Sequence, residues 1–258
     1  MSETPTNPII ELRDLSKRFG RLQVLRGLSL SIEPGHSIVI IGASGTGKSV
    51  MLKHMVGLLK PDKGEVHFHG RRIDELSEKQ LVPIRRRFGF LFQMGALFDS
   101  LNVADNIAFP LREHTTKPPA EIEQIVQHKL RMVGLPEVGR KMPAELSGGQ
   151  RKRVALARAI ALDPEVILYD EPTTGLDPIR SDVINELILK LQRELQVTSV
   201  TVTHDMQSAF KIADRIVMLH HGQIYFDGTP EQMQSADDPI IRQFVSGEAG
   251  EEELAGLR

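Results

Sequence analysis

The stretch Ser37-Ile38-Val39-Ile40-Ile41-Gly42-Ala43-Ser44-Gly45-Thr46-Gly47-Lys48-Ser49 decides how the rest of the chain is read. Ser37–Ile41 is a near-continuous apolar run, the pattern of a short strand buried on both faces. Gly42 to Ser49 then fits G-x-x-x-x-G-K-[ST], a phosphate-binding loop. Gly42, Gly45 and Gly47 let the backbone curl so that successive N–H groups point at phosphate oxygens. The helix predicted from Lys48 to about Leu58 adds its positive N-terminal end. In that setting the Lys48 ammonium neutralises β- and γ-phosphates, and the Ser49 hydroxyl ligates Mg²⁺. A glycine-rich turn can match this pattern by chance. A strand before it and a helix after it are the context the motif requires.

On the N-terminal side, Ile10, Leu12 and the alternating stretch Val24–Ile32 read as strands that end at the turn Glu33-Pro34-Gly35. On the C-terminal side, Pro61-Asp62-Lys63-Gly64 is a turn, and Glu65–Phe68 and Phe88–Phe92 are short strands. Signals from about Asn102 to Leu162 are almost all helical. Strands return at Val166–Asp170, Ser199–Thr203, Ile216–Leu219 and Gln223–Phe226, with helices between the first three. Strands, then helices, then alternation predict an α/β core of parallel strands interrupted by a helical insertion.

Two further segments carry chemistry. Val166-Ile167-Leu168-Tyr169-Asp170-Glu171 is an apolar strand ending in two acids. Beside a phosphate loop, the first acid can hold Mg²⁺ through water, and the second can orient and deprotonate an attacking water. Leu146-Ser147-Gly148-Gly149-Gln150 opens another helix whose positive end could meet a phosphate. A single γ-phosphate does not need two such helix starts from one chain. The economical solution is that Ser147 to Gln150 serve a nucleotide held by a second copy.

The order Gly42–Ser49, Gln93, Leu146–Gln150, Asp170-Glu171, Leu176-Asp177, His204 resembles the ATP-binding cassette (ABC) family over nearly the whole chain. The resemblance implies a P-loop NTPase (RecA-like) α/β core with an antiparallel β part and an inserted helical subdomain. Residues 1–93 and 162–228 would form the nucleotide-binding core, 94–161 the helical signature subdomain, and 229–258 a C-terminal helical extension with an acidic tail. It also implies ATP hydrolysis with Mg²⁺. Phe19 would stack on adenine, Gln93 would touch Mg²⁺ and the attacking water, Asp177 would lie at a dimer seam, and His204 would contact the γ-phosphate. ATP binding would close a homodimer, and hydrolysis would reopen it to drive a membrane permease.

Composition agrees with this and excludes other classes. The chain has 258 residues, which allows one large domain or a domain with a subdomain. Lys and Arg total 32 against 34 Asp and Glu, so no nucleic-acid-coating surface is expected. With no cysteine, disulfides, thiol nucleophiles and Cys-ligated metal sites are excluded. No apolar run reaches membrane-helix length, so action at a membrane requires a partner. His67 with His69, and His220 with His221, lack a third ligand at metal-site spacing. Arg85-Arg86-Arg87 reads as a solvated face, and Arg151-Lys152-Arg153 as positive charge that could sit near a phosphate.

The partner is expected at Gly95 to Leu101, where the apolar, small residues Gly95-Ala96-Leu97-Phe98 suit a groove for a permease helix. In the ABC family this region receives a coupling helix. Its wording, together with Asp238-Pro239-Ile240-Ile241-Arg242-Gln243-Phe244, resembles the ATPases of Mce/Mla-type phospholipid transporters, which maintain outer-membrane lipid asymmetry. That resemblance implies a multispanning inner-membrane permease, with lipid-binding Mce-type and small regulatory subunits, at the cytoplasmic face of the inner membrane. An ATPase of a solute importer and a soluble regulatory ATPase are the alternatives.

Overall fold

The computed structural model describes residues 7–247. The polar start before residue 7 and the acidic tail beyond residue 247 lie outside them.

A four-stranded antiparallel sheet and a six-stranded sheet share the chain. The first contains β1 (Ile10–Phe19), β2 (Leu22–Ile32), β4 (Lys63–Phe68) and β5 (Arg71–Arg72), in the order β2-β1-β4-β5. The second contains β3 (Ser37–Ile41), β6 (Phe88–Leu91), β7 (Val166–Asp170), β8 (Thr198–Val202), β9 (Arg215–His220) and β10 (Gln223–Gly228), in the order β10-β9-β3-β8-β7-β6. All of its pairings are parallel except β9 with β10.

The apolar run of β3 follows from its central position. Ile38 and Ile40 point into a core shared with the antiparallel sheet and helix α1 (Lys48–Met55). Val39 and Ile41 point the other way, into a core built with the helices that cover the opposite face. Those helices include α3 (Val103–His114), α4 (Pro119–Met132), α5 (Gly148–Ala159), α6 (Pro178–Leu195) and α7 (Met206–Ile212). The chain thus has the α/β core expected from its motifs, with an antiparallel β part and helices entering between β6 and β7. Two short helices, α8 (Pro230–Gln234) and α9 (Pro239–Ser246), follow β10. No helix of the described residues is long and apolar enough to cross a membrane.

The arginine run is not a plain solvated face. Helix α2 (Glu78–Arg85) ends within it. Arg85 pairs with Glu78 and donates to the carbonyls of Val56 and Gly57 at 3.3 and 2.7 Å. Arg87 lies over the Phe68 ring and pairs with Glu165, whose other partner is His69 Nε2 at 2.9 Å. These contacts tie the end of β4 to the strands at the edge of the parallel sheet. His67 is likewise held by Glu65, at 2.8 Å.

Candidate functional site

The parallel strands β3, β7 and β8 end side by side, and each delivers chemistry at its C-terminal end. After β3, the chain turns through Gly42 to Gly47 into α1. Gly42 has φ 148°, and a Cβ there would stand 2.4 Å from the Leu219 carbonyl oxygen. Gly47 caps α1 with φ 101°, and its Cβ would stand 2.8 Å from Leu25 Cδ2. Gly42 and Gly47 are therefore dictated by both backbone conformation and space, and Gly45 by its φ of 80° alone. Thr46 Oγ1 donates to the Ala43 carbonyl at 2.8 Å and tightens the loop.

Lys48 Nζ donates to the carbonyls of Gly42 and Ala43 at 2.6 and 3.0 Å. Burial lowers its pKa, and the charges of Glu171 and Asp170 oppose that shift. Ser49 Oγ donates to Asp170 Oδ1 at 2.8 Å, joining α1 to the end of β7. Burial raises the Asp170 pKa, with the Ser49 hydrogen bond acting in the opposite direction.

Glu171 follows β7 with φ 51°, a left-handed conformation that a non-glycine residue holds only when its surroundings enforce it. Its N–H donates to the Val202 carbonyl at 2.9 Å. Its Oε2 accepts from Thr174 Oγ1 at 3.0 Å and faces His204 Nδ1 at 2.9 Å. The Glu171 side chain is 12% exposed and that of His204, just past β8, 62%. A largely enclosed carboxylate thus meets an exposed imidazole in a cleft.

That cleft, of about 560 Å³, is lined by Phe19, Ser44, Gly45, Gly47, Lys48, Ser49, Gln93, Glu171 and His204, among others. Ala43 and Thr46 line the outer side of the same loop. Residues from β1, the glycine loop, the end of β6 and the ends of β7 and β8 therefore converge. The exposed aromatic Phe19 shares this cleft with a carboxylate and its imidazole.

Ser147, Gly148, Gly149, Gln150 and Asp177 do not line it. Ser147 caps α5 by accepting from the Gln150 N–H at 3.3 Å, while Gln150 Oε1 accepts from the Ser147 N–H at 2.9 Å. Asp177 caps α6 by accepting from the Arg180 N–H at 2.9 Å. A Cβ on Gly148 would contact Leu176, and one on Gly149 would contact Arg180. The starts of α5 and α6 thus sit together, outside the cleft.

The donor set fits Mg²⁺. A hydroxyl and a carboxylate are already paired in Ser49 and Asp170, with the Gln93 amide lining the same cleft. Hard oxygen donors in small number suit this ion, which takes its other ligands from phosphate and water. Among the described residues no cluster of three or more His, Cys, Asp or Glu could form an all-protein metal cage.

Three contributors are not evident from the motifs. Arg158 donates to the carbonyls of Ala96 and Gly95 at 2.8 and 3.0 Å and so holds the segment after Gln93. Thr174 supports the Glu171 carboxylate. Lys152, buried within the chain, donates to the carbonyls of Glu171, Pro172 and Thr174, while its neighbour Arg153 donates to those of Val133 and Gly134 at 3.4 Å. Within the segment expected to receive a permease helix, Leu97 packs on the core, whereas Phe98 is 42% exposed.

The chain matches the ABC transporter family over residues 25–174. It is 45% identical over 243 residues to mkl of Mycobacterium leprae, an ATP-binding protein named for ribonucleotide transport, covering 94% of this chain and 70% of that one. It is 44% identical over 241 residues to MlaF of Haemophilus influenzae, the ATP-binding protein of an intermembrane phospholipid transport system, covering 93% and 91%. A dimeric ATP-binding cassette in a post-hydrolysis state, bound to ADP and Pi, superposes with a TM-score of 0.79 at 34% identity, over 86% of this chain and 98% of that one. With its glycine loop, paired acids and histidine in one cleft and its second glycine-rich helix start outside it, the chain belongs to the ABC transporter family as an ATP-hydrolysing cassette.

Proposed function

We propose that this chain works as a homodimer with two composite ATP sites and drives phospholipid transport through a membrane permease. The observation that carries the dimer is the separation of Ser147 to Gln150 from the cleft that holds Lys48, Glu171 and His204. A second copy supplies the missing helix start to each nucleotide. The dimeric, ADP-bound relative supports this reading.

Each residue then has a task. The N–H groups of Gly42 to Ser49 and the Lys48 ammonium bind the phosphates. Phe19 offers its exposed ring to the base. Ser49 and Asp170, with Gln93, would hold Mg²⁺, which when bound neutralises phosphate charge. Glu171 accepts a proton from water as the water oxygen attacks the γ-phosphorus and the bond to the β-phosphate oxygen breaks. His204 stabilises the γ-phosphate oxygens and, through its contact with Glu171, the geometry of the base. Most of the rate comes from this fixed arrangement of charges and dipoles. Asp177 lies at the seam between copies.

We read 94–161 as the unit that couples to the permease and 229–258 as a C-terminal extension. Gly95 to Leu101 forms the docking segment, with Phe98 its exposed apolar contact. The assembly sits at the cytoplasmic face of an inner membrane, with Mce-type and small regulatory subunits as further partners. MlaF similarity over nearly the full length of both proteins supports phospholipid as cargo. Similarity to mkl, named for ribonucleotide transport, favours a second reading in which ribonucleotide is the cargo. Purifying the chain with its permease and measuring ATPase against added phospholipid and added ribonucleotide separates them. Phospholipid in the purified complex with lipid-stimulated ATPase is expected. Stimulation by ribonucleotide alone would overturn the lipid reading.

A further inference from the structure

Lys152 lies on the inward face of α5, 7% exposed. Its Nζ donates to the carbonyls of Glu171, Pro172 and Thr174, at 3.1, 2.7 and 2.8 Å. An ammonium has three protons, so its donors are fully used. The acceptors form the turn that carries Glu171. That turn needs restraint, because Glu171 holds a left-handed φ and Thr174 Oγ1 steadies its carboxylate. Lys152 itself does not line the cleft. Burial pushes its pKa down to about 8, as expected for an ammonium kept inside only because carbonyls surround it.

We infer that Lys152 is a positioning residue for ATP hydrolysis, holding the turn from Glu171 to Thr174 so that the Glu171 carboxylate stays aimed into the cleft of its own chain. This rests on the composite-dimer reading and deepens it. Helix α5 begins at Ser147, which in that dimer faces the partner's nucleotide. The same rigid helix would thus carry a group for the partner's site at its start and a support for its own site one turn later. A competing role is that Lys152 merely anchors α5, so that its loss damages the helix start presented to the partner.

Lys152→Met removes all three donors while keeping much of the volume. Expected in the full chain is a kcat lower by about 10- to 100-fold, the scale of a small misplacement of a reacting group. KM for ATP and equilibrium ATP binding should stay within about twofold, because the phosphate cradle is untouched. Lys152→Arg should recover part of kcat. An unchanged kcat in folded protein, or equal loss of ATP binding, would overturn the proposal. If Lys152→Met fails to fold, Lys152→Gln is read by the same split.

Mixed dimers separate the two roles. When one protomer carries Lys152→Met and its partner Ser147→Arg, a lysine that serves its own Glu171 puts both lesions in one composite site and leaves the other intact. Activity above either homodimer is then expected. A lysine that serves only the start of α5 disables both sites, and no recovery would refute the assignment. Lys48→Ala mixed with Ser147→Arg is the control. If the control recovers and the Lys152 mixture does not, the positioning role falls and the dimer stands. If the control stays silent with mixed dimers formed, the dimer reading falls, and the kcat-against-KM split decides Lys152 alone.

Discussion

Replacing Glu171 by Gln should separate ATP binding from ATP hydrolysis. The amide is nearly isosteric with the carboxylate. With its oxygen where Oε2 now stands, it can still accept from Thr174 Oγ1, 3.0 Å away, and from an Nδ1–H of His204, 2.9 Å away. The contact with the 62% exposed His204 imidazole is a surface-type interaction worth at most about 1 kcal/mol, and the attractions of Glu171 to Lys48 and Lys152 are secondary to the burial that dominates the pKa of each. Folding and nucleotide binding should therefore change little. Chemistry should change greatly, because an amide cannot take the proton of the attacking water. General-base removal lowers rates by about 10²- to 10⁴-fold, or roughly 3–5 kcal/mol at 1.36 kcal/mol per decade. Single-turnover hydrolysis of labelled ATP, with equilibrium binding measured on the same protein, reads both effects. Glu171→Gln protein that turns over at the wild-type rate would refute Glu171 as the base. A protein that neither binds nor hydrolyses ATP would refute the claim that its carboxylate is dispensable for binding.

Other substitutions test the remaining parts. Lys48→Ala removes a charge-assisted contact worth about 1.5–3 kcal/mol, so ATP affinity measured by titration should fall roughly 10- to 100-fold. Gly47→Ala forces a Cβ against Leu25 in a left-handed backbone, and thermal melting should show destabilisation of about 1–3 kcal/mol. Phe98→Asp should abolish permease capture in a pull-down while leaving ATP binding and melting unchanged, whereas Leu97→Asp should also lower the melting temperature, because Leu97 packs on the core. The Arg87 hydrogen bond, with His69 assisting, holds the Glu165 pKa below the usual carboxylate range. A depressed carboxylate contributes stability above its unfolded pKa and loses it as pH falls through its folded pKa. Glu165→Gln should accordingly melt earlier than wild type at neutral pH, and the gap should close in acid.

Much of this architecture is legible because the decisive residues act locally. The Ser37–Ile41 run is apolar on both faces because β3 lies between two cores, and the glycine loop follows from φ and close approach at Gly42 and Gly47. Gln93, Glu171 and His204 sit just past strands whose patterns mark their ends. What stayed hidden depends on distant partners. Helix α2 has a readable capping box in Ser77 and Gln80, but its arginines take their meaning from Val56, Gly57 and, beyond the helix, Glu165. Lys152 looks like one member of a basic triplet until the Glu171 turn is folded against it. Its spacing to Ala155 and Leu156 on the buried face of α5 was the available signal. Leu97 and Phe98 are neighbours of similar character, and only the packing separates a core residue from an exposed one.

The central claim is that each ATP site is completed by a second copy, and cross-linking tests it directly. The chain has no cysteine, so single cysteines can be introduced without background. Protomers carrying only Ser44→Cys are mixed with protomers carrying only Ser147→Cys, both in a Glu171→Gln background, and treated with a short thiol cross-linker. The account predicts a cross-linked heterodimer that forms with ATP and is lost without it. No heterodimer with ATP, together with a cross-link formed inside a single chain carrying both cysteines, would contradict it.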